Sequence, residues 1–62
     1  HVAYVVIDAV IDVPWTRTAF ASRPDEFFAR PDAIADTVVH VAEQDRSAWT
    51  FEVDLRPFGE KW

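Results

Sequence analysis

Six consecutive apolar residues, Val2-Ala3-Tyr4-Val5-Val6-Ile7, stand almost at the start of this chain, and four of them are β-branched. A strand with one face in water alternates apolar and polar side chains. An unbroken run instead predicts a strand over 2–7 buried on both faces, the pattern of a parallel sheet flanked by helices. That narrows the fold class to α/β. It also demands covering polypeptide on two sides, which 62 residues hardly supply, because at this size a single hydrophobic core is barely sufficient.

Composition sharpens the conflict. Half of the residues are hydrophobic, too many for a disordered segment. No cysteine is present, so neither a disulfide nor a thiolate metal site can staple the fold; this agrees with a cytoplasmic location. The net charge is −5, and the six basic residues Arg17, Arg23, Arg30, Arg46, Arg56 and Lys61 are scattered. Without a basic patch, neither nucleic acid nor an anionic membrane is an expected partner. The apolar run is far too short for a membrane span. His1 leads into it with no methionine and no basic, signal-like start, so the first residue is expected to lie inside a longer protein.

Beyond Ile7, Asp8 to Pro14 reads as a strand-to-loop exit. Short helical turns are expected from Pro14 and after Ser22, where Ser22-Arg23-Pro24-Asp25 combines a cap residue, a proline and an early acid. Pro31 and Asp32 open the best helix, over 32–44. Proline suits the first turn, and the acid suits the positive end of the helix dipole. Ile34, Val38 and Val41 form an apolar stripe at helical spacing, with Ala35 and Ala42 beside it. A second strand is expected over 49–55, where Trp49, Phe51, Val53 and Leu55 share one face and Thr50, Glu52 and Asp54 the other. Strand, helix and strand over this length predict a β-α-β crossover.

Little in the sequence carries chemistry. Gly59 is the only glycine, so no phosphate-cradling loop precedes a helix. No tyrosine-lysine proton-transfer pair and no Ser-His-acid triad is spaced for work, and no catalytic residue is expected. Asp36, His40 and Glu43 fall on one helical face and could in principle hold a metal; charge pairing on a solvated face is the plainer reading, and no metal site is expected. Asp8 and Asp12 flank the strand exit, where α/β enzymes place functional loops, but turn formation explains them too. Trp15 and Phe20 are pocket-lining or ordinary packing residues.

The segments Pro31-Asp32-Ala33-Ile34-Ala35, Asp45-Arg46-Ser47-Ala48-Trp49-Thr50 and Glu52-Val53-Asp54-Leu55-Arg56-Pro57 resemble the C-terminal end of a subgroup of short-chain dehydrogenases/reductases. The likeness extends over nearly the whole chain. It implies a C-terminal fragment of a Rossmann-like, doubly wound parallel sheet, from a parent that uses NAD or NADP. His1 to Asp12 resembles the sixth strand and its exit. There the family has a Pro-Gly-x-Ile/Val-x-Thr segment touching the nicotinamide end of the cofactor. Asp8 stands for the proline, Ala9 for the glycine, Ile11 for the apolar position and Val13 for the threonine. Only Ile11 matches, and it would act through its backbone.

The resemblance further implies that 14–30, with Pro14, Trp15 and Phe20, covers the substrate. The last helix and strand, with Ile34, Val38, Val41, Trp49 and Phe51, would form a two-fold subunit interface. The family's glycine-rich loop and Asn-Ser-Tyr-Lys set have no counterpart in these residues, so the isolated chain is expected to hold no cofactor and catalyse nothing. Its expected partner is a second copy, as a homodimer or higher assembly, or the remainder of the parent. The competing reading is a small self-associating protein without enzymatic activity.

Overall fold

Prolines set both helices. Pro14 opens α1 (Pro14–Ala19) and Pro31 opens α2 (Pro31–Ala42), each at a first-turn position where the missing N–H has no intrahelical partner to lose. The computed structural model describes residues 1–59. Four strands accompany the helices: β1 (Tyr4–Ile7), β2 (Val10–Ile11), β3 (Phe28–Ala29) and β4 (Glu52–Leu55), with a 3₁₀ turn over Asp25–Phe27 just before β3. The architecture is mixed α/β.

Two separate parallel pairs make the sheets. β1 lies beside β4 in the register Tyr4–Glu52, Val5–Val53, Val6–Asp54 and Ile7–Leu55. β2 lies beside β3, with Val10 opposite Phe28 and Ile11 opposite Ala29. Both ladders run a little past the strands, through Tyr4 N–H to the Phe51 carbonyl at 2.8 Å, Asp8 N–H to Leu55 at 3.0 Å and Asp12 N–H to Ala29 at 2.8 Å.

Helix α2 runs antiparallel to β1 and β4 across one face of their sheet. Its first turns, at Ala33, Ile34 and Thr37, border a cleft shared with Leu55. Its last turn, at Val38, Val41 and Ala42, borders another shared with Ala3 and Val5. Val41 is thereby reduced to 6% exposure. The opposite face of the sheet carries Tyr4, Val6, Glu52 and Asp54 by strand alternation.

Burial is sparse. Phe28 and Val41 are the only buried hydrophobic residues among those described, and Thr16 the only buried polar one. The radius of gyration is 13.6 Å, against about 11 Å for a compact chain of this length. The strand expected over 2–7 begins only at Tyr4. It is not buried on both faces: Val2 is 78% and Tyr4 65% exposed.

The helix expected over 32–44 ends at Ala42, because Gln44 turns its side chain to Thr50. The strand expected over 49–55 starts at Glu52. Before it, Trp49 stacks on the His1 ring with centroids 4.3 Å apart. Strand β2 occupies the expected strand-to-loop exit, and β3 takes up Phe28 directly after the short helical turn expected beyond Ser22.

Candidate functional site

The carboxyl ends of β1 and β4 lie side by side, and the residues expected at a cofactor edge leave from there. Asp8 and Ala9 line a shallow open cleft of about 370 Å³ with Ile7, Val10 and Phe27. Asp8 is tied to the neighbouring strand end by Arg56, whose Nε lies 3.3 Å from Asp8 Oδ2. Arg56 also donates from Nε to Asp54 Oδ1 at 3.1 Å and from Nη2 to Asp54 Oδ2 at 3.0 Å. One guanidinium thus joins the exits of both strands.

Ile11 and Val13 are not among the residues lining that cleft, and Thr16 holds the backbone of both. The Thr16 hydroxyl donates to the Ile11 carbonyl and, at 2.8 Å, to Val13 O, while its oxygen accepts the Val13 N–H at 3.1 Å. This is the third-position half of a capping box; Val13 has no hydroxyl to complete the other half. Thr16 is 4% exposed, and sharing its proton and lone pairs among three backbone groups satisfies it. The Ile11 carbonyl is therefore already in use within the chain.

Segment 14–30 is fastened rather than free. Arg17 grips Asp12 with two parallel hydrogen bonds, Nε to Oδ1 at 2.7 Å and Nη2 to Oδ2 at 2.9 Å, and reaches Asp25 Oδ1 with Nη1 at 2.7 Å. Its guanidinium also lies over the Phe28 ring, 4.1 Å from the centroid. Such bidentate, charge-assisted pairing is the strong kind. It holds the Asp12 carboxyl below the usual carboxylate range, against a smaller opposing effect of burial, and raises Arg17 further above its ordinary value. Phe20 rests on Phe27, and Phe27 meets Phe28 edge-on. Pro14 starts α1, and the Trp15 side chain beside it is exposed.

A second open cleft, of about 340 Å³, lies where α2 begins and β4 ends; Phe28, Ile34, Leu55 and Phe58 give it an apolar lining, with Arg30 and Arg56 at its rim. Pro57 joins that wall, and Gly59 passes so close to Glu26 that an added Cβ would sit 3.3 Å from the Glu26 backbone oxygen and Cγ. Both arginines are engaged, Arg30 with Asp32 at 2.6 Å and Arg56 as above.

Of the residues expected at a subunit interface, Ile34, Val38 and Val41 line the two clefts toward the chain's own sheet. Trp49 and Phe51 stay 44% and 72% exposed. Among the described residues no three His, Asp or Glu side chains converge on a metal-sized site, so the face of Asp36, His40 and Glu43 has no such geometry. No helix of the described residues is long and apolar enough to cross a membrane.

No protein-family model, characterised protein or solved structure matches the chain. Its chemistry must be argued from its own residues. Thr16, Arg17 and Arg56, which organise the strand exits, were not singled out from the sequence. Pro14 followed two residues later by threonine was the one local signal for Thr16. The Arg17 contacts with Asp12 and Asp25 and the Arg56 contact with Asp8 join residues that no helical or strand spacing rule connects.

Proposed function

We propose that the chain is the C-terminal β-α-β part of a Rossmann-like, NAD(P)-dependent short-chain dehydrogenase/reductase. In this reading Asp8 and Ala9 form an edge of the cofactor pocket, 14–30 covers the substrate, and the exposed Trp49 and Phe51 contribute to a subunit contact. The observation that supports it is the parallel pairing of β1 with β4, which aligns their carboxyl ends and puts Asp8 and Ala9 in the cleft beside them. Open α/β sheets bind ligands outside those ends. The sequence likeness described above supplies the family; the geometry supports its placement of the strand exit.

The chain's own part is positioning. Thr16 and Arg17 fix the path from β2 into α1 and hold the covering segment against Asp12 and Asp25. Hydride transfer needs a bound nicotinamide and a proton donor, which other residues of the parent would supply. The reading frame preceding His1 is the direct test. A glycine-rich nucleotide loop and a Tyr-x-x-x-Lys motif are expected there. A frame containing neither overturns the proposal.

A further inference from the structure

We infer that the face of the β1–β4 sheet opposite α2 is the docking surface for an amphipathic helix of another polypeptide segment, one with lysine or arginine beside its apolar stripe. The inference stands independently of the oxidoreductase reading.

Strand alternation puts Tyr4 and Val6 in a row along β1 and Glu52 and Asp54 in a row along β4. The register places Tyr4 against Glu52 and Val6 against Asp54. Arg56 holds both Asp8 and Asp54, as it must if the strand exits continue these rows on one side of the sheet. Tyr4 is 65% exposed, and Glu52 and Asp54 are exposed. Parallel sheets almost always have both faces covered, yet α2 covers only the other one.

Charge selects the occupant. Asp8, Glu52 and Asp54 set three carboxylates against the single guanidinium of Arg56, and Glu52 makes no ion pair among the described residues. A second copy stacked through this face would bring two negatively charged surfaces together, within a chain of net charge −5; like charges across an interface are strongly selected against. An apolar stripe flanked by cations satisfies both rows. The four residues of β1 span roughly 13 Å, which about nine residues of helix would cover.

The test uses two synthetic helical peptides with the same leucine-alanine stripe, one flanked by lysine and the other by glutamate, titrated into isotope-labelled chain and followed by amide shifts. The lysine peptide should perturb Tyr4, Val6, Glu52 and Asp54 while sparing Ile34 and Val38. It should bind at least tenfold more tightly than the glutamate peptide. Glu52→Lys, at an exposed site, should shrink that preference below threefold. Equal affinities, binding by neither peptide, or shifts centred on Ile34 and Val38 would overturn the inference. So would sedimentation showing a peptide-free dimer that Tyr4→Lys dissociates.

Discussion

Gln44 holds Thr50 with both atoms of its amide: Oε1 accepts the Thr50 N–H and Nε2 donates to Thr50 Oγ1, each at 2.7 Å. The Gln44 carbonyl meanwhile accepts the Trp49 indole N–H at 3.3 Å. Gln44, two residues past the end of α2, therefore ties the helix end to the approach to β4.

Gln44→Ala should consequently cost about 1–3 kcal/mol, the range for leaving a partly buried donor unsatisfied. Urea unfolding gives the magnitude, and hydrogen exchange at the Thr50 amide gives the location. Unchanged protection at Thr50 would refute the assignment. Gln44→Glu keeps the acceptor for the N–H and should lose less.

Thr50 and Phe51 should reverse the ranking that alternation alone suggests. Phe51→Ala, at a 72% exposed site, should change the stability of the lone chain by no more than about 0.5 kcal/mol. Thr50→Val removes the hydroxyl that Gln44 grips and should cost about 1 kcal/mol. Thermal unfolding at one fixed, low concentration compares them. A larger loss for Phe51→Ala, growing with protein concentration, would show that Phe51 is buried in an assembly.

Asp12 and Arg17 give the chain an acid-sensitive joint. The folded-state pKa of Asp12 is depressed by its Arg17 hydrogen bonds, so folding favours its ionised form. The stability this contributes is complete above the ordinary aspartate value of 3.8 and is lost as pH falls through the lowered folded value. Carbon-detected titration should show Asp12 ionising below ordinary aspartates, and Arg17→Gln should return it to them. Both side chains keep solvent contact, so added salt should weaken the effect. A normal Asp12 titration at low salt would contradict the pairing.

Phe28 is 5% exposed beneath Arg17, and Phe28→Ala should cost about 3–5 kcal/mol. That is most of what a domain of this size possesses. Val39→Ala, on the exposed side of α2, should stay within about 0.5 kcal/mol. Similar losses at the two positions would mean that the outer side of the helix is covered.

How far the sequence foretells this structure follows from the range of each interaction. Pro31 and Asp32 announce the start of α2 because capping is local. The end of α2 is set by a hydrogen bond to Thr50, six residues away and beyond any helical rule. Strands β2 and β3 have two residues each, too few to show alternation, and Phe28 is buried by a cation reaching it from α1. The strand exit at Asp8 was readable where the apolar run of β1 stops. What holds it, Arg56 from the end of another strand, was not. The alternation from Trp49 to Leu55 indicates which side chains share a face, but exposure depends on how much of that face α2 covers.

The order of pairing has a consequence for synthesis. Val10 and Phe28 are partners 18 residues apart, Tyr4 and Glu52 partners 48 apart. By loop-closure entropy the longer connection costs only about 0.9 kcal/mol more than the shorter, so the penalty lies in time. Both helices can form within about a microsecond of emerging from the ribosome. At roughly 5–20 residues per second, β1 must wait roughly 2–10 s for β4 to be made. During that interval Val5 and Val6 lack the β4 backbone they are paired with in the finished fold.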